Sequence, residues 1–332
     1  VGAGPDYTQI DGALADRLFH IPNNQSSLTL ENVELYRGRY ESGGAIETDG
    51  NLTIRNVVFR DNVASVSDGG AIHADGGVVV IENSYFVDNS ANRVGGAISF
   101  VRSNLTVSSS TFKSNIATGT PGEVGEVGSG GAIYTADTVE LAIENSTFSE
   151  NRAGKRHGGA IMINAGSDSA INITSSTFYS NHAGQYGGGL FTSQAVTLQN
   201  NIVASNLSGE SDGKDLKTGS GGSFVSAGNN LISTNTGHSL VHGENGNIVG
   251  TDGSPIDPKL SPLAENGGLT TTHALQSDSP AVDTGPLNLE LTTDQRGFRR
   301  PKDGDGNGSQ IPDIGAFEIS PGNAFIVNSN LD

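Results

Sequence analysis

The chain has 332 residues, with 36 Asp and Glu against 18 Lys and Arg, a net charge of −18 and a pI near 4.6. That balance argues against nucleic acid as a partner, because phosphate binding requires stripes of Lys and Arg, and it favours solubility and divalent cations. The lack of cysteine excludes a disulfide framework and any thiolate metal centre, and no apolar run is long enough to span a membrane as a helix.

Residues 1–21 read as an incomplete first coil, with Ile10-Asp11-Gly12 as a corner and either Leu18-x-His20 or Phe19-x-Ile21 as its last strand. Val1 stands in mid-pattern with no signal peptide before it, so a longer precursor is expected. Low Lys, a single Met and no Trp point to export. A repeat then runs from Leu28 to Asn206. Gly-Gly-Ala-Ile starts at Gly43, Gly69, Gly95, Gly130 and Gly158, with a looser copy at Gly187. Ahead of each copy stands an apolar residue: Leu35, Phe59, Phe86, Phe112, Phe148 and Phe178, with Val203 opening one more repeat. Three residues after it come Asn62, Asn89, Asn115, Asn151, Asn181 and Asn206, with Gly38 in the first repeat. Upstream lie apolar pairs two residues apart, such as Leu52/Ile54, Val79/Ile81 and Leu105/Val107.

Apolar residues two apart share a face only in a strand. Each repeat is therefore expected to hold three short strands: the Leu-x-Ile pair, the segment ending in Phe, and the Gly-Gly-Ala-Ile segment. Stacked at roughly 4.8 Å, such repeats make a parallel β-helix with a Phe row inside and an Asn row hydrogen-bonding along one corner. The Phe positions are spaced by 24, 27, 26, 36, 30 and 25 residues, which places an insertion at Thr118 to Ser129. That loop is a candidate contact site, and a tolerated surface insertion is the plainer reading. Phe224-Val225, Asn229 to Ile232 and Asn247 to Gly250 suggest two irregular coils, giving a helical domain over 1–250. The Pro-punctuated stretch 251–320 is expected to cover the last coil as a cap, and 321–332 to start a following unit or linker.

The paired Gly-Gly-Ala-Ile and Phe-x-x-Asn motifs resemble the polymorphic outer membrane protein repeat. Asn266-Gly267-Gly268, Thr272-His273-Ala274-Leu275, Ser279-Pro280-Ala281-Val282-Asp283-Thr284-Gly285, Thr293-Asp294-Gln295-Arg296-Gly297 and Asp313-Ile314-Gly315-Ala316-Phe317-Glu318 resemble the "choice-of-anchor Q" domain of bacterial surface proteins. The resemblance implies a right-handed parallel β-helix, an extracellular or cell-surface setting and an adhesin-like role. Its implied partners are a host or neighbouring cell surface, extracellular matrix or polysaccharide, or further units of the same chain.

Three constellations carry possible chemistry. Asp303-x-Asp305-x-Asn307-Gly308 matches the first half of a calcium loop, with Asp313 one residue short of the closing position, so Asp303, Asp305, Asn307 and Asp313 are the expected calcium ligands; a Gly/Asp turn is the plainer alternative. Arg296 between Asp283 and Asp313 suggests a structural clamp. Asp61 and Asp88, with Arg60 and Lys113 beside them, form the best enzymatic arrangement, that of a polysaccharide lyase or hydrolase. Ser114 and Ser180 interrupt that row and no aromatic sugar platform accompanies it, so a non-catalytic adhesin or structural unit is the favoured function. His73 and His157 read as solvated corner residues.

Overall fold

The computed structural model describes residues 1–119, 125–138, 140–164, 166 and 169–320. The expected junction strand at 321–332 and part of the Thr118 to Ser129 loop lie outside the described residues.

Among the described residues, three parallel sheets, of 16, 7 and 8 strands, wind into a β-helix. One coil runs Val78–Glu82, Tyr85–Val87, Ser90–Ala91 and Ile98–Val101. The distribution of strands over the faces differs from the sequence expectation. The Leu-x-Ile and Phe segments belong to one sheet, because in the early coils they are single strands, Ser27–Tyr36 and Asn51–Arg60. The second face is a two-residue strand just after each Asn, such as Ser90–Ala91 and Ile116–Ala117, too short for any periodicity to register. Gly-Gly-Ala-Ile leads into the third sheet.

The interior follows the predicted register. Phe59, Phe86, Phe112, Phe148 and Phe178 are fully buried and stack with ring centroids 4.6 to 4.8 Å apart and nearly parallel planes. The Asn row is a continuous ladder: Asn115 Nδ2 donates to Asn151 Oδ1 at 2.9 Å and to the Phe86 carbonyl at 3.0 Å, and its neighbours repeat the pattern. A second ladder, unmarked in the repeat motifs, runs through Ser84, Ser110, Ser146 and Ser176, each hydroxyl receiving the amide of the preceding coil. The glycine pair has two separate causes. Gly95 takes a left-handed φ of +65, while a Cβ on Gly96 would lie 2.1 Å from the Gly131 carbonyl of the next coil.

The C-terminal stretch is not the expected end cap. Leu240 and Val249 close the last coil and join the main core, whereas residues beyond 258 fold back along the flank. Thr111 Oγ1 donates to the Thr271 carbonyl at 2.6 Å, Thr147 Oγ1 to Gln295 Oε1 at 2.6 Å, and the Ala316 amide to Thr177 Oγ1 at 3.1 Å. Thr111, Thr147 and Thr177 occupy one register position in successive coils, so the tail reads a row of outward hydroxyls. A second apolar cluster, including Ile202, Leu275, Val282, Ile314 and Phe317, seals this contact.

Candidate functional site

The acidic row predicted as an enzyme site is a corner row. Asp61 and Asp88 have φ of 55, and Ser114, Glu150 and Ser180 repeat that left-handed geometry in later coils. Asp and Ser tolerate it better than β-branched residues, which gives the row a conformational reason to exist. Asp61 and Asp88 do come close, in adjacent coils. Partial burial, and then the Asp61 charge, pushes the Asp88 carboxyl above its ordinary range. Arg60 is shared between two carboxylates: its Nε donates to Glu34 Oε1 at 2.7 Å, and its Nη1 pairs with Asp61 at 3.8 Å, while the charges of Lys113 and Arg60 partly offset the upward push on Asp88. Val87 separates Arg60 from Lys113 in the register. Two carboxylates are thus brought together, with Arg60 beside Asp61 in its own coil and Lys113 one coil beyond Asp88.

Sequence reasoning missed one pair with the look of a nucleophile and its base. Ser149 Oγ lies 3.0 Å from His273 Nε2, and His273 Nδ1 lies 2.8 Å from the Ser261 carbonyl. A carbonyl can only accept, so Nδ1 carries the proton and Nε2 accepts from Ser149. Burial lowers the imidazole pKa below its usual range, which favours the neutral ring. Ser149 is 0% exposed, so no substrate reaches it, and the pair pins the tail to the helix. No motif links the two residues, which are 124 positions apart.

The histidines expected at solvated corners are elsewhere. His73 lies within the strand Ile72–Asp75. His157 stacks on Phe191 with centroids 4.3 Å apart, and burial lowers its pKa to about 4.

In the tail, the Asp283–Arg296–Asp313 clamp does not form. Arg296 pairs with Asp294 at 2.6 Å and lies 3.5 Å over the Phe317 ring, while Arg300 pairs with Glu318 at 2.9 Å with both side chains buried. A cavity of about 380 Å³ beside Arg296, Phe298, Phe317 and Leu275 is mostly apolar and lies apart from the acidic row. Asp313 is buried under this network and accepts the amides of Asp283 at 2.8 Å and Ile319 at 2.6 Å. Burial, reinforced by Glu318, pushes its carboxyl up to about 8. It is therefore not available to the Asp303 loop. Asp283 takes its place: Asp283, Asp303 and Asp305 each direct a carboxylate oxygen to within 4.8 Å of the others. Asp283 is anchored by the amides of Gly304 at 3.0 Å and Asp305 at 2.7 Å, and Asn307 Nδ2 donates to Asp305 at 2.8 Å. Asp303 Oδ1 is shielded from solvent without a hydrogen-bond partner. Three hard oxygen donors at one point suit a cation such as calcium better than a transition metal.

No curated protein matches the chain at a significant level. Residues 21–235, well over half of the chain, match the family model described as a right-handed β-helix region, and the chain belongs to that family.

Proposed function

We propose that the chain is a non-catalytic unit of a larger secreted or surface-anchored bacterial protein, acting as an adhesive or structural rod. Its partners would be a cell surface, extracellular matrix, polysaccharide or further units of its own kind. Right-handed β-helix regions occur both in adhesins and in polysaccharide-degrading enzymes, so the site chemistry has to separate the two. The carrying observation is that the best acidic row serves as left-handed corners, with Arg60 held by Glu34 at 2.7 Å and by Asp61 only at 3.8 Å. The resemblance of the Gly-Gly-Ala-Ile and Phe-x-x-Asn motifs to polymorphic outer membrane protein repeats, and of the tail to the choice-of-anchor Q domain, supports the extracellular setting. The full chain, incubated with neutral and acidic polysaccharides, is expected to release neither reducing ends nor unsaturated products, and to be retained on whole cells or immobilised glycans. Product release that disappears in Asp88→Asn would establish the enzyme reading instead.

A calcium site at Asp283, Asp303 and Asp305 is part of the same proposal, favoured by the shielded, unpartnered Asp303 Oδ1. Calcium added to the chelator-treated full chain is expected to bind and to raise the melting temperature, because a ligand that binds only the folded state stabilises it. Asp283→Asn and Asp305→Asn should weaken binding by about tenfold or more, the effect of losing one charged ligand, with exposed Asp278→Asn as the control. Absence of binding heat and of any melting shift would remove calcium from the reading.

A further inference from the structure

Among the described residues, one broad sheet face is left bare. It is the outer surface of eight parallel strands, from Ser27–Tyr36 to Ser223–Gly228. Its two outward rows are in register from coil to coil: one passes through Thr53, Val80, Thr106 and Ala142, the other through Val78 and Asn104. In a chain of net charge −18, Glu140 is the sole charged residue in these two rows. The charges gather instead along one rim, where Glu31, Arg55 and Glu82 form an ion-paired row. Val78 and Val225 on this face are 45% and 51% exposed. The folded-back tail covers the neighbouring Phe-strand flank and stops at the rim, where Asn288–Leu291 face Glu144, Thr174 and Gln199.

We propose that this face is a docking surface for a second copy of the chain, packed sheet to sheet about a two-fold axis. A neutral centre with a charged rim is the anatomy of a protein interface. Eight strands at about 4.8 Å and five residues at about 3.3 Å give roughly 630 Å² per copy, or about 1,270 Å² in all, at the low end of the roughly 1,200–2,000 Å² of stable interfaces. A corrugation that repeats at the strand spacing is matched along its whole length only by a surface with the same repeat. A two-fold axis supplies one at no cost in new sequence.

Sedimentation velocity of the full chain from about 1 to about 200 μM, the range a small interface spans, tests this. The expected result is a monomer–dimer equilibrium that tightens as salt screens the repulsion between two acidic molecules. Thr106→Arg and Val78→Glu, both at solvent-facing positions, should each raise the dissociation constant about tenfold or more by placing an unpaired charge in the neutral centre of the interface. Val66→Arg, at a 56% exposed position off this face, should leave it unchanged. A monomer throughout, or a dimer indifferent to both face variants, would overturn the proposal.

Discussion

Phe112→Ala is expected to destabilise the chain by about 3 to 5 kcal/mol, the cost of emptying a large aromatic site in a close-packed core. The ring is fully buried and lies 4.7 Å from Phe86 and 4.8 Å from Phe148. Inside a solenoid the core of each coil packs only against that of its neighbours, and the tail contacts the outer face of this strand, so the void cannot be closed from elsewhere in the chain. Urea unfolding of the variant should show a lower midpoint, with Phe298→Ala as the comparison, since that ring is 37% exposed. Equal midpoints for Phe112→Ala and the parent would mean that the Phe row does not hold the coils together.

Asn89→Asp is expected to be the most pH-dependent variant. Asn89 Nδ2 donates to the Phe59 carbonyl at 3.0 Å and to Asn115 Oδ1 at 2.9 Å, while its Oδ1 accepts from the Asn62 amide and side chain. A carboxylate loses both donations, faces two acceptors and brings a charge into a fully buried site. Its folded pKa would therefore lie above the unfolded value of about 3.9. Stability is then fully present below the unfolded pKa and is lost as pH rises through the folded one. The variant's deficit relative to the parent should be larger at pH 7 than at pH 4 by about 2 kcal/mol or more, the scale of an uncompensated buried polar group. Thermal melts of both proteins at the two pH values check this; a deficit independent of pH would show that the introduced carboxylate is solvated. The chain contains its own comparison. Asp215 ends the same ladder, fully buried and with its pKa raised by burial, and it is tolerated where the amide and side chain of Asn206, the hydroxyl of Ser233, and the amide and hydroxyl of Thr234 all donate to it.

Local, repeated constraints were legible in the residues themselves. Leu105 and Val107 lie two apart because a strand alternates its faces. Phe86, Phe112 and Phe148 recur because neighbouring coils share one slot, and Asn89, Asn115 and Asn151 recur because a corner leaves amides to satisfy. Each such rule acts within one coil or between adjacent coils, so it is printed several times in the chain and can be read as period and register. The two-residue strand after each Asn was hidden because Ser90–Ala91 is too short to alternate.

The tertiary structure alone decided everything that happens once. Thr147 meets Gln295, Ser149 meets His273, and Asp283 joins Asp303 and Asp305, because the tail folds back along the flank instead of over the last coil. These partners are separated by between 20 and about 150 positions and obey no period, so their local sequence carries no trace of the pairing. The same holds for Asp313, which sits in a motif that suggests metal binding yet is withdrawn into the network of Arg300 and Glu318. Residue type and spacing named the candidate carboxylates. Which of them face one another, and which are buried beyond the reach of any ligand, depends on a single packing event between distant segments, and only the folded chain contains it.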